Sequence, residues 1–272
     1  MPRTSANGGM VGKTLDFNTT AVYNAIRYVG GATATARDSG SVTVTFTSLT
    51  GGIGGVQTGD LVIAAVGAGV NADRTMAMST TGYTTLFDLY ANDSDDINLG
   101  VHYKVMGATP DTSASTGDSA LGSFSTLVLA VQVWRGVNTS TPIGVFNSTT
   151  GFNGGNPDPP AITTGTLGSA VIAVGAAAHS NGNVSATQGG DLENFITAGQ
   201  NGATTDATVG VGSVISSPSR ATGTVVDPIA FVVDSSTNSS RASSTFELIP
   251  KTPVVIANSG VWDIGWRYVE NS

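Results

Sequence analysis

Residues with chemical potential are few in this 272-residue chain, and their spacing completes no catalytic or ligand-binding pattern. Asn7-Gly-Gly-Met-Val-Gly-Lys-Thr14 has the Gly-Lys-Thr ending of a phosphate-binding loop. That loop needs glycine where Asn7 stands and a buried strand before it, and only six residues precede it. A flexible arm accounts for it better. The densest acidic run, Asn92-Asp-Ser-Asp-Asp96, lacks the glycine and terminal glutamate of an EF-hand loop and reads as a solvated hairpin tip. Of the two histidines, His102 lies in an alternating strand and His179 at a strand end. No Gly-x-Ser-x-Gly elbow accompanies them, so a serine nucleophile has no positioned base. Glu193, Glu247 and Glu270 stand far apart, and a glycosidase pair would need aspartates brought together by folding. No catalytic residue, metal ligand or cofactor site is assigned.

Trp134-Arg135-Gly136-Val137 differs in kind. A strand ends in tryptophan, a cation able to lie over its ring follows, and glycine then permits a turn. The expectation is a strand end that caps the core. The alternative is a sugar-stacking surface, with Trp134, Tyr83 and Tyr90 as the candidate glycan contacts.

Composition says what must position these residues. Hydrophobic residues make up 40% of the chain, enough for a buried core, but charged residues only 11%. Polarity comes from Ser, Thr, Asn and 36 glycines, which suit strands with a solvated face and tight turns. The net charge is −8 with no block of Lys or Arg, so phosphate neutralisation cannot drive nucleic-acid binding. Cys is absent, which removes disulfides and thiolate metal sites. No signal peptide is visible after Met1-Pro-Arg-Thr-Ser5, and the longest apolar run, around Ala170 to Ala178, is too short to insert in a membrane.

Strand signals recur between turn signals. Ser41 to Thr47 alternates, with Val42, Val44 and Phe46 on one face. Leu61 to Val66 is a continuous apolar run expected to be buried on both faces. Tyr83 to Tyr90, Asn98 to Met106, Thr126 to Trp134, Ala170 to Val174, Thr208 to Ile215, Ile229 to Val233 and Ser244 to Ile249 complete the set. Gly59-Asp-Leu-Val-Ile-Ala-Ala-Val-Gly67 is echoed by Gly168-Ser-Ala-Val-Ile-Ala-Val-Gly175, and two further matches keep an offset near 110 residues. The expected fold is all-β: a jelly-roll-like β-sandwich made of two pseudo-repeated halves packed face to face, with extended N- and C-terminal arms. The arms are residues 1–40 and 251–272, and the sandwich is 41–250, divided at about 150. Trp262, Trp266 and Tyr268 in the last segment, with Tyr23 in the first, are the candidate assembly contacts, because a free tail would not carry that much aromatic surface.

Taken in order, Gly59-Asp-Leu-Val-Ile-Ala, Gly82-Tyr-Thr-Thr-Leu, Val101-His-Tyr-Lys-Val-Met-Gly-Ala-Thr-Pro-Asp111 and Val133-Trp-Arg-Gly-Val-Asn-Thr-Ser-Thr-Pro-Ile143 resemble a β-sandwich domain of bacteriophage structural proteins. The resemblance covers about residues 40–250, with Tyr83 in place of that family's usual Trp and Trp134 in place of its usual Tyr. It implies a virion protein of tail, fibre or capsid-decoration type, on the particle exterior and made without a signal peptide. Its partners would be other virion proteins, copies of itself and a host-surface glycan. A glycan-binding adhesin and a polysaccharide-degrading enzyme are the alternatives.

Overall fold

The computed structural model of the chain describes residues 26–93, 95–117, 126–152, 155–179, 186–187, 192–200, 205–214, 222–233 and 240–251. Tyr23–Thr252 forms one compact unit, and Met1–Val22 with Pro253–Ser272 forms another that lies outside the described residues. Tyr23, Trp262, Trp266, Tyr268 and the Asn7–Thr14 segment also lie outside them.

The described residues are all-β apart from a single 3-10 turn at Phe46–Ser48. The first half holds β1 (Arg27–Arg37), β2 (Thr43–Thr45), β3 (Leu61–Gly69), β4 (Thr84–Ala91), β5 (Ile97–Val105), β6 (Ser113–Ser115) and β7 (Thr126–Arg135). The second holds β8 (Ile143–Gly151), β9 (Ile162–Thr163), β10 (Ala170–His179), β11 (Ala186–Thr187), β12 (Glu193–Gln200), β13 (Asp206–Val214), β14 (Val225–Val226), β15 (Val232–Val233) and β16 (Arg241–Leu248). Each half supplies one five-stranded antiparallel sheet, in the order β1-β7-β3-β5-β4 and the order β12-β13-β10-β16-β8. The second order, reversed, is the first with β8, β16, β10, β13 and β12 in the places of β1, β7, β3, β5 and β4. β3, β4 and β5 begin 109 residues before β10, β12 and β13. Neither half lends a strand to the other's large sheet.

The sheets meet face to face. β1 lies against β12, β4 against β8, and β3 against β10. Exchanging the halves maps each of these contacts onto another, or onto itself for the central strands. Two sheets of the same hand can be exchanged only by a rotation, so the halves pack about an approximate twofold axis, as an isologous dimer does. The shared core takes Leu61, Ile63 and Ala65 from β3 and Ile172, Val174 and Ala176 from β10. All nine residues of β3 are buried, because Val62, Ala64 and Val66 pack on the outer face of the same sheet. That outer face is covered by the β2–β6 ladder, which inserts Val42, Val44 and Phe46. β9–β14 and β11–β15 are the corresponding ladders of the second half.

Three segments depart from the sequence expectation. β1 lies in the stretch read as an arm, yet it forms an eleven-residue strand paired along its length with β7. β8, placed by sequence in the first half, belongs to the second sheet through β16. Its residues Asn147-Ser-Thr-Thr150 give no apolar alternation because most of them face solvent. Ile229–Val233 forms a ladder only at Val232–Val233. Pro228 has no N–H to donate to a ladder, and Phe231 turns into the core, fully buried, with its N–H donating to the Pro157 carbonyl at 2.8 Å. Its ring sits where a side chain on Gly175 would be, since a Cβ there would lie 2.3 Å from Phe231 Cδ2.

Gly67 lets the second sheet pack close: a Cβ at that position would lie 2.3 Å from Val209 Cγ2 and 3.0 Å from Val128 Cγ2 of its own sheet. Gly67→Ala is expected to lower stability by about 1–3 kcal/mol through overpacking. Val209→Ala, destabilising alone by the cavity it opens, should offset part of that loss in the double variant. Urea denaturation of the four proteins checks this; strictly additive losses would show that the sheets do not meet tightly there.

Candidate functional site

Gly59, at φ 83°, turns the chain so that Asp60 enters the base of β3, where it is 1% exposed. One carboxylate oxygen accepts the Gln57 N–H at 2.8 Å. Arg135, at the end of β7, binds the same carboxylate with both arms of its fork: Nε to Oδ1 and Nη2 to Oδ2, each at 2.8 Å. Nη2 also donates to the Gly55 carbonyl at 2.7 Å. A buried carboxylate needs a countercharge, and the planar guanidinium matches its two oxygens. Arg135 is therefore engaged with Asp60 and Gly55.

Trp134 is fully buried between the sheets and packs on Tyr28 with ring centroids 5.1 Å apart. Its Nε1–H donates to Gln132 Oε1 at 3.2 Å, and Gln132 Nε2 donates to the Asn194 carbonyl at 2.8 Å across the interface. It caps the core and offers no face to a sugar, so its place among the glycan contacts is corrected. Tyr83 is half-buried. Lys104 Nζ lies 5.7 Å over its ring and is held by Asp111 at 2.6 Å and by the Thr81 carbonyl at 2.7 Å. Burial and the Asp111 charge both push the Tyr83 hydroxyl well above the usual tyrosine pKa. Tyr90, near the other end of β4, donates to Asp96 and accepts from Asn92 Nδ2 at 2.9 Å. Seven residues of strand put it about 23 Å from Tyr83. The three aromatics do not converge on one surface.

The acidic run is not a solvated tip. Asp95 and Asp96 are 5% and 4% exposed. The Asp96 carboxylate accepts the Tyr90 hydroxyl and the Asp93 N–H, the latter at 2.9 Å, and the Ser240 hydroxyl donates to the Asp95 carbonyl from the start of β16. The loop connects β4 to β5 and touches the second half through Ser240. Among the described residues no group of three or more His, Asp or Glu side chains is placed to hold a metal ion. His102 is also inside, 1% exposed on the outer face of β5, with Nδ1 3.2 Å from Thr85 Oγ1 and Nε2 without a hydrogen-bond partner. Burial pushes its pKa down to about 4, partly opposed by the Met76 backbone. Glu247, buried in β16, accepts the N–H groups of Val145, Gly165 and Thr166 at 3.2, 3.1 and 2.8 Å and so anchors the loop before β10.

The open feature near these groups is a cleft of about 460 Å³ at the end of the first sheet where Asp60 and Arg135 meet. Arg27, Arg135 and Lys251 line it together with Gln57, Thr58 and Thr139. Sequence reasoning missed it, since its residues come from four separate segments. The Gly59-Asp60 and Trp134-Arg135-Gly136 signatures were the available signal. Comparison with protein-family models, curated proteins and solved structures finds no match.

Two outcomes follow from the buried ionisable groups. Arg135→Ala leaves Asp60 charged and dry, whereas Asp60→Ala leaves an arginine that reaches water, its side chain being 22% exposed. The first should cost about 3–5 kcal/mol and the second clearly less; equal losses in urea denaturation would contradict the asymmetry. His102 has a lowered folded pKa, so the unfolded chain binds its proton more readily. Its neutral form stabilises the fold fully above pH 6.5, and that contribution is lost as pH falls towards about 4. The loss totals ~3 kcal/mol at most. His102→Gln should flatten the slope of urea midpoint against pH between about 6.5 and 4.5; an unchanged slope would show that His102 does not titrate with folding.

Proposed function

We propose that the chain is a non-enzymatic bacteriophage virion structural protein, of tail, fibre or capsid-decoration type, that works on the particle exterior by assembling with copies of itself and other virion proteins. The observation that carries this reading is the open edge of the second sheet. β8 is nine residues long, contains no charged side chain, and exposes Val145 and Phe146, with Phe152 exposed just beyond it. Natural edge strands are usually protected by charge, proline or a covering loop. The equivalent edge strand, β1, has such a cover: Gly31 and Thr50 exchange backbone hydrogen bonds at 3.0 and 2.9 Å, and Gly54 donates to Val29 at 2.8 Å. An uncharged edge strand with exposed phenylalanines, paired to no further strand among the described residues, suits a subunit that meets a neighbour.

The residues behind the resemblance support the same reading by their use. Asp60 with Arg135, and Lys104 with Asp111 and Tyr83, tie strands and loops together. The resemblance is thus carried by structural signatures. Tyr23, Trp262, Trp266 and Tyr268 serve as assembly contacts in this proposal, and attachment to a host-surface glycan accompanies it.

The test is sedimentation of particles from the lysate of a culture producing the chain. The chain should travel with the particle fraction, and Trp262→Ala with Trp266→Ala should move it to the soluble fraction with an unchanged β-type circular dichroism spectrum. Recovery of the unaltered chain only as a soluble monomer would overturn the virion reading; normal incorporation of the double variant would overturn the role of the tryptophans.

A further inference from the structure

The two halves differ where the fold makes them equivalent. Trp134 and Leu248 both lie opposite the first residue of a central strand, Leu61 and Ala170 respectively. The same equivalence sets Arg135 against Ile249 and Asp60 against Ser169. The second half closes this end with the Glu247 carboxylate held by backbone N–H groups alone, and the first half closes it with an aspartate–arginine pair. At this end of the first sheet Arg27, Arg135 and, from just beyond β16, Lys251, three of the chain's 11 basic residues, line one cleft, where Asp60 is the single acidic lining residue among the described residues. Asp60 is already matched by Arg135, so the cleft keeps an excess of positive charge in a chain of net charge −8.

Arg27 and Arg135 are direct register partners on β1 and β7. Like charges at that spacing are destabilising on a sheet, and the strand pairing itself does not require them. An anion between them would relieve that cost. Arg135 is held rigidly by its bonds to Asp60 and Gly55, whereas Arg27 and Lys251 are exposed and can reach toward a ligand. Gln57, Thr58 and Thr139 add neutral hydrogen-bonding groups, and no aromatic side chain lines the cleft, so recognition there rests on charge.

We propose that this cleft binds a small oxyanion, a phosphate or the carboxylate of an acidic sugar, with Arg135 as the fixed cation and Arg27 and Lys251 as the mobile ones. The site stands independently of the virion reading. The experiment is amide NMR of the full chain titrated with sodium phosphate, glucuronate or uncharged glucose at ionic strength held constant with chloride. Saturable shifts at Thr58, Gly59, Gly136 and Thr139 are expected with phosphate or glucuronate and none with glucose. Saturation by glucuronate alone assigns the acidic sugar, and saturation by phosphate assigns the phosphate group. Arg27→Gln with Lys251→Gln, both surface changes, should weaken binding at least tenfold while the urea midpoint does not fall, since the change also removes the like-charge pairing with Arg135. Absence of saturable shifts with either anion, or unchanged affinity in the double variant, would overturn the proposal.

Discussion

The contact of β3 with β10 lies at the middle of the face shared by the two sheets, and burying that face constrains the rest of the domain. A sheet that is apolar on the inside needs its partner; one that is apolar on both sides needs a further cover. β3 is buried on both faces, so each half must also build an outer layer from its connections. The short ladders supply it at the same places in both halves: β2 with β6 over one sheet, β9 with β14 and β11 with β15 in the other. The connections are thus ordered by the demand of the central strands for a second apolar contact. Small residues follow from the same demand, since Gly67 lets β13 approach and Gly175 makes room for Phe231.

Such an interior leaves little room for charge, and the buried polar groups show how it is admitted. Asp60 enters with a bidentate arginine, Glu247 with three backbone donors, and Gln132 with one partner on its own strand and another across the interface. In each case the polar group fastens a segment that hydrophobic contact alone would leave free to shift in register. His102 is admitted differently, because its burial holds it neutral, and one of its ring nitrogens is unpartnered, as are the hydroxyls of Tyr83, Ser169, Ser244 and Thr245. A chain with 11% charged residues spends several of them in this way, which is why charge pattern read along the sequence pointed to no site.

The sheets were legible where a strand had a single dominant reason to form. Leu61–Val66 is a continuous apolar run, Thr126–Trp134 is apolar apart from Thr126 and Gln132, both lie in the central strands of the first sheet, and Val42, Val44 and Phe46 alternate and plug its outer face. The repeat was legible because β3 and β10 share the residues that both faces demand. Edge strands were not: β1 carries two consecutive glycines and β8 a run of Ser and Thr, so their pairing comes from the neighbour's backbone more than from their own pattern. The Asp60–Arg135 lock joins positions 75 residues apart, and no local period encodes such a pair. Trp134 was read as a core cap with a surface alternative; only its neighbours Tyr28 and Gln132 distinguish the two, and both meet it through strand register and side-chain direction.

An internal duplication also separates what the architecture needs from what one copy has added. Features present at equivalent positions of both halves, such as the strand order, the outer ladders and the apolar central strands, belong to the fold. Features present once do not follow from it. The covered edge of β1 against the edge strand β8 is one such difference, and Asp60 with Arg135 at the end of β7, where Ser169 and Ile249 stand at the end of β16, is another. If both halves descend from one ancestral sheet that paired with its own copy, the pairing surface has been internalised in the twofold contact, and each half has been free to change its remaining surface. The asymmetry then lies in the surfaces: the first half covers the edge of β1 and carries the Asp60–Arg135 pair, and the second half keeps the uncharged edge strand β8. A single copy paired with itself would have carried each feature twice, on both sides of the axis; the fused chain carries each once, and so gains a direction that a symmetric dimer lacks.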